Sequence, residues 1–106
     1  MVIRGEIWLA ALDPTIGSEI QKTRPCVVVS PAEMHDYLRT VMVAPMMTGS
    51  RTAPFQVPIT FGGKQGLILR DQIRTLDQRR LVKRLGTVSN KTLVVTLSTL
   101  QETFIE

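Results

Sequence analysis

Two side chains set the limits of the chemistry available to this chain: His35 is its one histidine and Cys26 its one cysteine. A zinc site draws three or four ligands from Cys, His and carboxylates. No H-E-x-x-H is present, so no metal and no cofactor are expected. No phosphate-cradling G-x-x-x-x-G-K-[ST] or G-x-G-x-x-G occurs either. A Ser-His-Asp triad would depend on His35, which lies in a polar turn segment. Cys26 sits inside Pro25-Cys26-Val27-Val28-Val29, where apolar surroundings raise a thiol pKa and make it inert, so it reads as core. Trp8, on an apolar segment, reads as core rather than as a stacking platform.

What remains are loops rich in Arg, Thr, Ser, Glu and Gln. RNA suits such a site because it carries its own nucleophile. Its 2′-hydroxyl attacks the adjacent phosphate once deprotonated, with no metal-activated water. The protein must then supply a base for that hydroxyl, a cation for the phosphorane charge and a proton for the leaving 5′-oxygen. A carboxylate, an arginine and a hydroxyl meet those needs.

Charge agrees in sign. The 106 residues hold 13 Lys and Arg against 9 Asp and Glu. Arg70, Arg74, Arg79, Arg80, Lys83 and Arg84 stand against Asp71 and Asp77, so the segment 70–84 carries as much charge as the whole chain, +4. Such a cluster suits a phosphate backbone or, equally, a solvated face.

The elements that must position these groups are short. Residues 3–12 read as a strand, followed by the turn formers of 13–18 and a polar loop to Thr23. Pro25–Val29 reads as a buried strand. Ser30 is placed to cap a helical turn over 31–37, with Pro31 at its first position. Thr40–Ala44 reads as a strand ended by Pro45. Residues 54–59 alternate as an edge or bulged strand with two prolines. Phe61-Gly62-Gly63-Lys64 turns the chain, and Gly66–Thr75 and Leu81–Val88 read as further strands. From the cap Ser89, Leu93, Leu97, Leu100 and Phe104 recur at helical spacing. With no repeat or linker, the chain is expected to form a single domain over 1–106, α+β, with short antiparallel strands and a packed C-terminal helix. No apolar run is long enough to span a membrane and no signal peptide is apparent, so a cytoplasmic location is expected.

Arg4-Gly5-Glu6-Ile7-Trp8, Asp13-Pro14-Thr15-x-Gly17-Ser18-Glu19, Thr23-Arg24-Pro25 and Val28-Val29-Ser30-Pro31 strongly resemble the N-terminal half of MazF/PemK/Kid toxins. Val43-Ala44-Pro45, Pro54-Phe55, Leu69 to Asp77 and Leu81 to Gly86 continue the likeness to about residue 104. The resemblance implies a small SH3-like β-barrel of antiparallel strands with a C-terminal helix, forming a homodimer. It implies metal-independent cleavage of single-stranded RNA at short motifs, leaving a 2′,3′-cyclic phosphate, and a cognate antitoxin protein that blocks the RNA groove.

Carried over by position, Arg24 is the catalytic arginine of the R-P step. A guanidinium grips phosphate bidentately, which fits that role. Glu19 matches a loop glutamate that serves as base or loop organiser. Members usually carry threonine two residues after the strand-ending proline, but Met47 stands there and the hydroxyl first appears at Thr48. Methionine donates no hydrogen bond, so Thr48 is expected to take the role. Ser18 stands where one branch uses histidine, so that branch's acid–base mechanism is not carried over. RNA contacts are expected from Ser18, Lys22, Thr23, Ser50, Arg51, Phe55, Arg70, Asp71 and Gln72. Two other readings stand beside this one. A CcdB-like gyrase poison would end in a short tryptophan-bearing motif, whereas this chain ends Phe104-Ile105-Glu106. An RNA-binding barrel without cleavage is kept open by Met47.

Overall fold

Apolar residues at both parities of a strand require cover on both faces. The run Cys26-Val27-Val28-Val29 meets that condition in a computed structural model that describes residues 1–19, 22–49 and 56–105. The elements run β1 (Glu6–Ala11), β2 (Thr23–Val28), α1 (Ala32–Tyr37), β3 (Thr40–Thr48), β4 (Gln56–Phe61), β5 (Lys64–Leu69), β6 (Arg74–Asp77), β7 (Leu81–Thr87) and α2 (Asn90–Thr103). Single 3-10 turns at Arg70–Gln72 and Gln78–Arg80 flank β6. All strand pairs are antiparallel, in the order β4-β5-β3-β2-β1-β7, with β6 added on β3.

Alternation along the central strands fills two cores. Ile7, Val27, Val29, Ala44 and Met46 point to one, where Leu93, Leu97 and Leu100 of α2 pack. Trp8, Ala10, Leu12, Cys26, Val28, Val41 and Val43 point to the other, closed by Leu76 and Leu81. The α+β class, the antiparallel sheet and the terminal helix are those expected. The barrel, however, is open: among the described residues no ladder joins β4 to β7. Their edges meet through Phe61, since a Cβ built on Gly86 would lie 3.2 Å from the Phe61 ring.

Three expected boundaries moved. Pro45 does not end its strand; β3 runs on to Thr48. On one edge β3 pairs with β6 through Val43 and with β5 from Met46. Pro45 falls in the gap between these partners, where its missing N–H is not needed by either. The strand expected over Gly66–Thr75 is broken at Arg70–Gln72, where the chain crosses from one core layer to the other. The helix start also shifts by one residue: Pro31 is the N-cap position of α1 and makes no side-chain cap bond. The Ser30 hydroxyl instead accepts the Met42 N–H at 3.0 Å and pairs with His35 Nε2 at 2.6 Å. Because His35 Nδ1 lies 2.7 Å from the Val2 carbonyl, that nitrogen carries the proton, and Nε2 accepts from Ser30.

The β4–β5 hairpin turns through Gly62 and Gly63, both at positive φ (59° and 75°), the left-handed pair a two-residue hairpin loop requires. In α2 the Ser89 hydroxyl accepts the Thr92 N–H at 3.2 Å, as expected of a cap. Phe104 departs from the expected face. It lies past the last helical residue and is 72% exposed, while Thr96, fully buried, takes a core position and satisfies its hydroxyl on the Thr92 carbonyl at 2.8 Å.

The cap gives a direct test. Ser89→Ala removes the acceptor for Thr92 N–H, at a cost of about 1 kcal/mol. Thermal unfolding followed by circular dichroism should show Tm lower by about 4–8 °C, with the native spectrum otherwise kept.

Candidate active site

The register sets the central feature. Cys26 pairs with Pro45 across β2 and β3, so continuing the antiparallel ladder puts Arg24 across from Met47. On the other edge Met47 faces Leu67 and Thr48 faces Gly66, and Gly66 in turn faces Ile59 of β4. Thr48, Gly66 and Ile59 therefore form a row with a hollow at its middle. No other residue fits at Gly66, because a Cβ there would lie 2.9 Å from the Met47 carbonyl oxygen. Around this hollow opens a cavity of about 160 Å³ bordered by Arg24, Met46, Met47, Thr48, Phe61 and Lys64, among others.

The strand is still extended at residues 46–48, so the pleat turns Met47 and Thr48 to opposite sides. Both nonetheless border the cavity with Arg24, because Thr48 is the last residue of β3, beside the side-chain-free Gly66. Met47 is 41% exposed and is not core filler.

The expected loop residues gather separately. Ser18, Glu19, Asp71 and Gln72 line a second cavity of about 410 Å³ together with Ile73 and Arg74. Glu19 organises its own loop: its Oε1 accepts the Ile16 N–H at 2.6 Å, and its own N–H bonds the Ile16 carbonyl at 3.2 Å. The Lys22 N–H, at a positive φ of 68°, donates to Asp13 Oδ1 at 3.1 Å. Thr23 opens β2 across from Ala11 and is exposed. Cys26 lies between the two groups. Its Sγ is 3.5 Å from the Arg24 carbonyl, and the Arg74 charge acts on the same thiol. Burial dominates over that charge and pushes the Cys26 pKa up to about 12, as its expected core role requires.

The basic segment divides into structural anchors. Arg70, expected near RNA, instead donates to the Thr99 carbonyl and the Thr103 hydroxyl at the C-terminal end of α2, where carbonyls attract a cation. Arg74 donates to the Leu12 carbonyl at 3.1 Å, and Arg80 donates to the carbonyls of Ala11 and Asp13. Arg84 pairs with the buried Glu6 carboxylate at 2.8 Å, which also accepts from Trp8 Nε1 at 3.2 Å. Arg79 pairs with Asp77 at 3.0 Å on the surface. Two of these arginines clamp the end of β1 and the start of the loop that carries Ser18 and Glu19.

Ser50, Arg51 and Phe55 lie outside the described residues. Among the described residues, no group of three or more His, Cys, Asp or Glu is gathered to hold a metal, and no helix is long and apolar enough to cross a membrane. The sequence did not point to Arg74, Phe61, Lys64 or Gly66. The Gly62-Gly63 turn carries the signal for Phe61 and Lys64, since a two-residue hairpin makes its flanking residues cross-strand partners.

A small, open antiparallel sheet with a helical supplement brings an arginine and a hydroxyl to one cavity, an α+β architecture of SH3-like type. The profile described as "PemK-like, MazF-like toxin of type II toxin-antitoxin system" matches residues 3–104, and the chain belongs to that family. It is 43% identical over 81 residues to Endoribonuclease PemK of Escherichia coli, covering 72% of this chain and 61% of that one, so it spans less than two thirds of that relative. It is 33% identical over 100 residues to Endoribonuclease MazF of Staphylococcus epidermidis, covering 89% of this chain and 83% of the relative. Among solved structures, MazF from Deinococcus radiodurans superposes with a TM-score of 0.86 at 25% identity, covering 96% and 94% of the two chains. A mycobacterial endoribonuclease in complex with its cognate antitoxin shares the fold, with a TM-score of 0.80 at 22% identity and coverage of 96% and 93%.

The thiol provides a test of this geometry. A pKa raised in the folded state stabilises the protein below the unfolded thiol pKa, about 8.5. That stability is lost as pH rises through the folded value of about 12. Native protein at pH 8 should resist iodoacetamide and react at one site in denaturant, as mass spectrometry would show. Rapid labelling of native protein would contradict the buried placement of Cys26.

Proposed function

We propose that this chain is the toxin of a type II toxin–antitoxin system and acts as a metal-independent, sequence-specific endoribonuclease on single-stranded RNA. The observation that carries the reading is the meeting of Arg24 and Thr48 at one cavity, in a chain belonging to this toxin family. The RNA 2′-hydroxyl attacks the adjacent phosphorus. The bond from phosphorus to the 5′-oxygen breaks and that oxygen takes up a proton from water, leaving a 2′,3′-cyclic phosphate and a free 5′-hydroxyl.

Arg24 holds the phosphate and balances the charge that grows on its oxygens. The Thr48 hydroxyl donates to a phosphorane oxygen, a role Met47 has no donor to fill. Glu19 takes the 2′-proton, presented from a turn that its own carboxylate holds together. Ser18, Lys22, Thr23, Asp71 and Gln72 extend the RNA path along the same loop and the second cavity. Ser50, Arg51 and Phe55, outside the described residues, are further RNA contacts in this reading. The protein works in the cytoplasm as a homodimer, and a cognate antitoxin restrains it, as the solved mycobacterial complex suggests by likeness of fold. The family membership favours this reading over a gyrase poison.

The decisive assay incubates purified protein with a long single-stranded RNA in EDTA and maps the ends. Discrete cuts bearing 2′,3′-cyclic phosphate are expected. Arg24→Ala and Thr48→Val should each lower the cleavage rate about 10²–10³-fold while the circular dichroism spectrum stays native. Full activity in folded Arg24→Ala protein would overturn the mechanism. Glu19→Gln separates base from loop organiser, since an amide oxygen still accepts the Ile16 N–H. A loss of about 10²–10⁴-fold supports the base, whereas wild-type rates leave Glu19 a purely structural part.

A further inference from the structure

We propose that Arg70 is a positioning residue for RNA binding: by gripping the C-terminal end of α2 it fixes the Arg70–Gln72 turn, and so sets Asp71 against the RNA strand in the second cavity. The inference rests on the ribonuclease reading above, in which Asp71 contacts RNA, and adds to it a residue that acts through Asp71 from the far side of the turn.

The turn lacks the device that holds its counterpart. At Gln78–Arg80 the Asp77 carboxylate caps the turn, accepting the Arg79 N–H at 2.9 Å. At Arg70–Gln72 the cap position is Leu69, whose apolar side chain is buried and makes no cap bond. Leu69 and Ile73 enter the interior at its two ends and fix those ends. They leave its rotation about the line between them to be set by the side chains of the turn itself. A 3-10 turn has three residues per turn, so successive side chains point about 120° apart. Whatever holds Arg70 therefore fixes the heading of Asp71.

The hold comes from α2. Arg70 Nη1 donates to the Thr99 carbonyl and the Thr103 hydroxyl. That hydroxyl gives its own proton to the Thr99 carbonyl at 2.9 Å, which leaves its lone pairs for the guanidinium. The helix needs the cation. Its own charges stand the wrong way round for its dipole, with Lys91 near the start, Glu102 near the end and no basic residue in the last turn. Asp71 and Glu102 border one small cleft with Arg70 and Thr103, so two carboxylates and the negative end of a helix converge there on Arg70. Removing that cation leaves like charges facing one another and drives Asp71 out of place. Asp71 borders the second cavity as well, beside Glu19, and so joins the helix end to the RNA path.

Steady-state cleavage of RNA by the whole chain tests this. Arg70→Ala should raise KM about tenfold and leave kcat nearly unchanged, the pattern of a lost binding contact. Arg70→Lys keeps a cation at the helix end and should recover most of that loss. Thr103→Val removes an acceptor of Arg70 without changing charge and should raise KM in the same direction, which keeps the test open if Arg70→Ala fails to fold. Added to Asp71→Ala, either substitution should have no further effect, because both act through Asp71. Calorimetric titration with an oligodeoxynucleotide, which lacks the 2′-hydroxyl, reads the same contact without cleavage. Arg70→Ala should weaken that binding and keep the wild-type slope of log affinity against log salt, since no phosphate contact is lost. Additive effects with Asp71→Ala, a slope reduced by about 0.7 as for one lost phosphate contact, or a wild-type KM in Thr103→Val would overturn the proposal. Oligonucleotide binding that depends on Arg70 through Asp71, in a protein that leaves RNA intact, would instead overturn the ribonuclease reading and keep the positioning role.

Discussion

The structure depends on one strand that serves two layers. β3 pairs along one edge with β2 and along the other first with β6 and then with β5. Its residues alternate between two cores, Val41 and Val43 in one, Ala44 and Met46 in the other. Such a strand must change partners without leaving a ladder group unpaired, and unpaired buried backbone is costly. Pro45, which has no N–H to leave unpaired, occupies the change of partner. The same change brings the end of β3 beside the β4–β5 hairpin while β2 still runs alongside. Arg24, Thr48 and Phe61 meet because three strands converge there, not because the chain places them close in sequence.

A second constraint governs the charges. The basic segment has the composition of a nucleic-acid patch, yet most of its guanidinium groups bond to main-chain carbonyls or to carboxylates of the protein. Arg70 holds the end of α2, and Arg74 and Arg80 hold the end of β1 and the entry to the loop. Arginine suits this work because its donors fan out in a plane and reach several carbonyls at once. The loop bearing Ser18 and Glu19 is thus tied at its base, which a positioned catalytic carboxylate would require. Net charge still favours encounter with an anionic strand.

Much of this was legible in the order of residues. The unbroken apolar run of the buried strand β2, the Gly62-Gly63 turn, the Ser89 cap and the leucine spacing of α2 each follow from local rules, and each is present. Cys26 was legible as core from its neighbours alone. What was not legible depends on partners distant in sequence. Nothing local says that Pro45 sits in a gap between two partner strands, or that the segment after Leu69 must cross between layers. Arg70 looks like a phosphate ligand until α2 is folded against it. Phe104 fits the helical spacing but falls just past the point where the helix ends. For the same reason the cavity that holds Arg24 could not be drawn in full, since half its border comes from a hairpin some forty residues away by sequence numbering.

The methionine at position 47 stands where the sequence resemblance implies a threonine, and the register gives it a physical sense. A side chain across from Arg24 lies on the arginine's side of the sheet, where a hydroxyl would meet the phosphate directly. Methionine there offers no donor and lines the cavity with a flexible, apolar side chain. Moving the hydroxyl to Thr48 shifts it across the pleat. In most strands that would bury it or turn it from the site. Here the neighbour across the ladder is Gly66, whose hollow leaves the opposite side open to the same cavity. Met47 and the demand for glycine at position 66 are therefore two parts of one arrangement: the first makes the wall apolar, and the second leaves the Thr48 side of the sheet open to the same cavity.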